Sequence, residues 1–235
     1  MKSGSTYLAL LAFLVLFTWN AYSQESTVGI DVGQVSDKYG TLPSVSSALL
    51  NANGKIAILK GNPKNGTPAI VAGGEVRIPG DTNTHAKEYA IFGGPEFHVR
   101  QNSFVFGFHV QIRKIIQPTA LLNGQYYKRD TMELLELPAI LRYNFGPSKH
   151  AFIQAEGAPE FSPRFHIPAG GTLLPHPDLD HAYFIRGSLG YTFGHWYARA
   201  TYETRYFRFQ SNPNNPSYLY NWRSNGITGG IGFSF

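Results

Sequence analysis

The charged residues of this chain recur at alternate positions within segments that are otherwise apolar or built of small residues. Glu96 and His98, Arg142, Glu156, Glu160 and Arg164, Arg186, Arg199, Glu203 and Arg205 each stand on the polar side of such a segment. An enclosed charge left without a partner costs several kcal/mol, so carboxylates and guanidiniums that share an enclosed face must neutralise one another. The expected chemistry is a structural network of ion pairs, and the same residues would also suit a narrow polar conduit or a small-ligand site. Two further groupings hold reactive residue types. His176-Pro177-Asp178-Leu179-Asp180-His181 offers imidazoles and carboxylates, which divalent cations accept. Its two prolines and lack of a regular scaffold argue for a polar surface loop, and no metal site is expected. Glu156 and Glu160 could be imagined as acid and base for glycoside cleavage, yet Arg164 and Arg186 are equally available to pair with them. No Gly-rich segment has the strand-to-helix context that phosphate binding needs, so no cofactor is expected.

The elements that carry these residues read as strands, because a period of two puts successive side chains on opposite faces. Phe104, Phe106, Phe108, Val110 and Ile112 oppose Ser103, Gly107, His109, Gln111 and Arg113; Tyr89, Ile91, Phe97 and Val99 oppose Glu88, Glu96 and His98. Leu135, Leu137, Ala139, Leu141 and Tyr143 oppose Glu136, Arg142 and Asn144, and Ile153, Ala155 and Phe161 oppose Gln154, Glu156 and Glu160. Tyr183, Ile185, Leu189, Tyr191 and Phe193 oppose Arg186 and Ser188, then a Gly194-His195 turn leads to Trp196, Ala198, Ala200 and Tyr202 opposite Arg199, Thr201 and Glu203. A strand over Ile70 to Ile78, with Glu75 and Arg77 on its polar face, brings the count from Ile70 onward to eight. Connections alternate between short turns near Gln101, Pro147 and Gly194 and long ones over 117–129, 168–181 and 210–225.

The fold class expected is all-β, an antiparallel up-and-down transmembrane β-barrel of eight strands with short periplasmic turns and longer external loops. Ten strands is the alternative, if Val28, Ile30 and Val32 form one further strand and Lys55 to Leu59 another. Otherwise residues 24–67 are an N-terminal extension or an internal plug. An eight-stranded barrel is only wide enough for side chains to fill it.

Lys2, the apolar run Tyr7 to Phe17 and the pattern Ala21-Tyr22-Ser23 predict a secretory signal peptide over 1–23 and a single domain over 24–235. There is no cysteine, so packing and the hydrogen-bond ladder must hold the fold. The chain holds 17 Phe, 14 Tyr and 25 Gly, the composition of a β protein, and a formal net charge of +5 whose scattered basic residues argue against nucleic acid.

In the last residues Ile227, Gly229, Ile231, Phe233 and Phe235 alternate with Gly226, Thr228, Gly230, Gly232 and Ser234. This pattern, ending on an aromatic, resembles the C-terminal assembly signal of bacterial outer-membrane proteins. With the signal peptide, the chain resembles the small outer-membrane β-barrel superfamily of OmpA-like, opacity-like and OmpX-like proteins. The resemblance implies a Gram-negative outer-membrane location, insertion by the barrel assembly machinery and contact with outer-membrane lipids and lipopolysaccharide. It implies no ligand and no oligomeric state. Arg205 to Asn212 also resembles the motif of lipid A deacylases, but Phe209 stands where that motif has a histidine, leaving Ser211 without a general base.

These features point to a non-enzymatic, porin-like barrel serving envelope structure, adhesion or restricted passage of small solutes. Two alternatives are a lipid A-modifying hydrolase and a secreted soluble β-barrel binding an apolar ligand. In the soluble barrel the oily face would turn inward.

Overall fold

The computed structural model describes residues 26–40, 42–62, 64–99, 103–116, 120–122, 125–127, 131–146, 148–166, 179–210 and 221–235. The strands are β1 (Thr27–Tyr39), β2 (Val45–Leu59), β3 (Ala69–Pro79), β4 (Lys87–Val99), β5 (Phe104–Phe108), β6 (Val110–Ile116), β7 (Ala120–Leu122), β8 (Gln125–Tyr127), β9 (Thr131–Glu136), β10 (Ala139–Phe145), β11 (Ala151–His166), β12 (Leu179–Phe193), β13 (Trp196–Phe209) and β14 (Trp222–Ser234). β7 and β8 form a separate small hairpin, and the other twelve make one antiparallel sheet.

That sheet closes on itself as ten staves, because β5 with β6 and β9 with β10 are each one stave interrupted by lost hydrogen bonds. Glu96 faces Gly107 and Gly93 faces Val110, a single unbroken register along β4. The gaps in these ladders hold Pro95 and Pro138, which have no N–H to donate. The expected count of eight is therefore corrected to ten. The two additional staves are β1 and β2, so most of the described residues between Ser26 and Thr67 are a strand pair in the wall. β1 pairs with β14 from Thr27↔Ser234 to Tyr39↔Trp222, and this contact seals the barrel. The approach is close: a Cβ on Gly33 would lie 2.0 Å from the Ile227 carbonyl oxygen.

The oily faces point outward. Ile91 is 66% exposed, Ile227 62% and Leu189 58%, and other large apolar residues stand exposed on every stave but β3. The soluble alternative, which needs the apolar side within, is overturned by this arrangement. Aromatic rings pack outside near the turn end, with Phe104 stacked on Tyr143 at 4.8 Å and Trp196 edge-on to Phe233 at 5.2 Å. Tyr183 and Tyr206, 5.8 Å apart, lie toward the loop end.

Polarity inverts along the staves. In β1, Val28, Ile30 and Val32 point out and Asp31 in, but nearer the loops Lys38 points out while Val35 and Tyr39 point in. In β13 Arg208 is outside between the buried Phe207 and Phe209, and in β14 Arg223 is outside next to the buried Trp222. The loop-end rim thus has the pattern of a water-soluble barrel, while the rest has the pattern of a barrel in oil.

Candidate functional site: the lumen

The lumen is layered. At the loop end Tyr39, Ile115, Met132, Leu134, Phe207, Phe209 and Trp222 form an apolar cluster. Tyr39, Trp222, Phe207 and Phe209 stack in a nearly parallel column at spacings of 6.0, 5.2 and 6.4 Å. Buried aromatic area of this kind is a strong apolar closure.

Beneath it, among the described residues, lie four arginines and six glutamates, brought together largely by cross-strand register: Arg77↔Glu88, Arg186↔Glu203, Glu156↔Arg186 and Glu136↔Glu160. Arg113 is central. Its Nε donates to Glu136 at 3.0 and 3.2 Å, Nη1 to Glu88 at 2.9 Å and Nη2 to Glu75 at 3.3 Å. Arg186 donates to Glu203 and to Glu75, each at 2.7 Å, with Glu156 at 3.5 Å. Arg77 binds Glu88 at 3.1 Å and also Glu203, and Gln111 donates to Glu136. Arg205 lies 3.3 Å from both Glu136 and Glu160 and 3.4 Å from Glu88. The buried ring of Phe184 has the guanidiniums of Arg205, Arg113 and Arg186 at 5.3 to 5.9 Å, an arrangement that favours cations over the ring face.

Toward the turn end the lumen widens into a cavity of about 760 Å³, which closure with ten staves leaves room for. On its wall Arg199 holds Asp31 through two bonds of 2.9 and 2.6 Å, and Asn53 donates to the same carboxylate at 2.9 Å. Gly230 leaves space for that carboxylate, since a Cβ there would be 2.0 Å from Asp31 Oδ1. Glu96 accepts from Lys55 at 2.6 Å and has His109 at 3.3 Å and His98 at 4.0 Å. Arg142 donates to Asn144 Oδ1 at 2.8 Å and lies over the Phe152 ring at 3.9 Å.

No protein-family model matches the chain, and no curated protein is similar to it at a significant level. Solved structures do match. Neisserial surface protein A (NspA) is 12% identical, with 91% of this chain and 98% of that one covered and a TM-score of 0.40. The NanC porin is 11% identical, covering 89% and 100%, with a TM-score of 0.41. The translocator domain of the autotransporter NalP from Neisseria meningitidis is 12% identical, covering 98% and 96%, with a TM-score of 0.40.

Of the residues singled out in the sequence, Glu96, His98, Arg142, Glu156, Glu160, Arg186, Arg199, Glu203 and Arg205 all face the lumen. Glu156, Glu160, Arg186, Glu203 and Arg205 belong to the central network, and Glu96, His98, Arg142 and Arg199 to the cavity. The side chain of Arg164 lies outside what the structure describes. Glu75, Arg77, Glu88, Arg113 and Glu136 were not singled out, although all stand on polar faces that the alternation exposes; Asp31 and Lys55 belong to the two staves outside the eight-strand count. Ile227, Gly229 and Ile231 point outward on β14, and the Phe235 N–H donates to Ser26 O at 3.0 Å.

Glu203 is held by Arg77 and Arg186, and Ser211 lies outside the described residues. His181 and Asp180 sit 3.3 Å apart at the exposed loop end, and His176 and Asp178 also lie outside the described residues. No group of three metal-ligating side chains occurs among the described residues.

Proposed function

We propose that this protein resides in the outer membrane as a non-enzymatic barrel whose lumen is a structural plug and whose work is done at the envelope surface, in envelope integrity or adhesion. The observation that carries this reading is a closed sheet with bulky apolar side chains outside and paired charges within. In lipid every backbone N–H and C=O must be satisfied internally, and a sealed sheet achieves that. A 13-residue stave such as β14, rising about 3.3 Å per residue and tilted by about 40°, stands about 33 Å tall. That exceeds an apolar band of about 25 Å, which matches the rim of inverted polarity beyond it.

Lys38 and Arg223 face each other on the outer surface of that rim, and Arg208 stands nearby, 3.3 Å from Asp180. Such cations suit the phosphates of lipopolysaccharide. The terminal residues Ile227 to Phe235 fit recognition by the barrel assembly machinery. Among the described residues, the aromatic column and the ion network both cross the lumen, which favours a surface role over solute passage. The expected behaviour is heat-modifiable gel migration after detergent extraction from purified outer membranes, with no steady conductance in planar bilayers. A mature protein recovered from the periplasm without detergent would refute the location, and a stable open-channel conductance would refute the plug.

A further inference from the structure

Among the described residues, Arg142 lines the lumen with no carboxylate within ion-pair distance. Lys55 is matched to Glu96, Arg199 to Asp31, and Arg186 to Glu75 and Glu203. Arg142 instead meets the neutral Asn144 amide oxygen and the face of Phe152. Among the described residues five Lys and Arg and three Glu line the cavity, and Asp31 and Glu203 neutralise Arg199 and Arg186 from behind the lining.

The position of Arg142 is built from the backbone up. Gly190 has no side chain on the inner wall, and a Cβ there would fall 2.3 Å from Phe152 Cζ and 2.6 Å from the Ala198 carbonyl oxygen. The Phe152 ring therefore lies flat over the glycine, and the Arg142 guanidinium lies on the ring at 3.9 Å. Asn144 fixes Nε, which leaves the two Nη groups as the fork that binds carboxylate or phosphate oxygens in pairs. Gln154, directly across the ladder from Arg142, and Ser188, across from Gln154, add neutral polar groups to the same wall.

We infer that this cavity is a binding site for a small polar molecule bearing a carboxylate or phosphate, with its oxyanion on the Arg142 fork. The volume lies within the range of small-ligand pockets, about 300–1,000 Å³. Entry is from the turn end, because the arginine and glutamate cluster forms the floor and the aromatic column lies behind it. In the proposed orientation that is the periplasmic side, so the ligand is a periplasmic solute that is held at the site and not conducted.

The test uses the mature protein folded in detergent, with glucuronate, glucose 6-phosphate and glucose titrated by calorimetry. Either or both charged sugars should bind, identifying the preferred oxyanion, and neutral glucose should not. Arg142→Gln should weaken binding at least tenfold and Arg142→Lys should recover part of it, with heat-modifiable migration unchanged in both variants. Gly190→Ala should also weaken binding by displacing the ring beneath the guanidinium. Failure of both anions to bind, equal binding of glucose, or undiminished binding to Arg142→Gln would overturn the inference. Because binding is read in detergent and folding by gel migration, a negative result leaves the proposed membrane location standing.

Discussion

Replacing Arg113 with Met removes a guanidinium that donates to Glu136, Glu88 and Glu75 together. Each of the three carboxylates retains another cation: Arg205 for Glu136, Arg77 for Glu88 and Arg186 for Glu75. Six glutamates would then share three arginines in a space where Glu136 and Glu160 already face each other across the ladder. Breaking a buried ion pair from one side costs about 3–5 kcal/mol, and the surviving partners place this change near the lower bound, about 3 kcal/mol. At about 1.4 kcal/mol per decade that is roughly 100-fold in the folding equilibrium. With a urea dependence of about 1–3 kcal/mol per molar, the midpoint should fall by about 1–3 M. The assay is urea unfolding of the protein in phospholipid vesicles, followed by tryptophan fluorescence and by gel migration. Glu136→Gln and the double variant complete a thermodynamic cycle, whose coupling should be at least about 0.5 kcal/mol. A midpoint for Arg113→Met unchanged from the parent, or strict additivity in the double variant, would refute the claim that the lumen is held by mutually dependent charges.

Leu189→Arg places a charge midway along the outer apolar band and should cost about 2–4 kcal/mol in the same unfolding assay; a cost below about 1 kcal/mol would mean that this face does not meet the bilayer interior. Trp196 is 49% exposed on the outer surface and Trp222 is 1% exposed in the lumen. Lipids brominated on their acyl chains should therefore quench the fluorescence of Trp222→Phe, which keeps Trp196, and spare that of Trp196→Phe. Deleting Phe235 should lower the amount of assembled protein in the outer membrane, as read by immunoblotting of heat-modifiable protein, and unchanged levels would count against its part in the assembly signal.

From Ile70 onward the sequence displays its wall openly, because most outward residues of β4, β5, β10, β12 and β14 are large and apolar while most inward ones are charged, polar or small, the loop-end Trp222 and the ring of Phe184 being exceptions. β1 hides itself for a physical reason. Its lower half follows the rule, with Val28, Ile30 and Val32 outside, but its upper half lies beyond the apolar band and carries Gln34, Ser36 and Lys38 outside with Val35 and Tyr39 inside. A search for one constant oily face sees the pattern lapse after Val32, although the strand continues to Tyr39. β2 behaves alike, with Ser46 and Ala48 outward and the buried Leu49 inward. The ion network was legible as a class of chemistry, since alternating Glu and Arg on an enclosed face must pair. Which glutamate meets which arginine depends on strand register and on closure with ten staves, and neither can be read along one strand. The seat of Arg142 depends on Gly190, 48 residues further along the chain, and only the neighbouring staves join the two through Phe152.

The seam between β1 and β14 joins Thr27 to Ser234, so the bonds that finish the wall connect segments about as far apart as this chain allows. Hairpins can form early and locally, but every intermediate up to that step carries two raw edges whose N–H and C=O groups have nothing to hold them in oil. Insertion and closure are therefore expected to be one event, completed late and limited by the time two distant ends take to find each other.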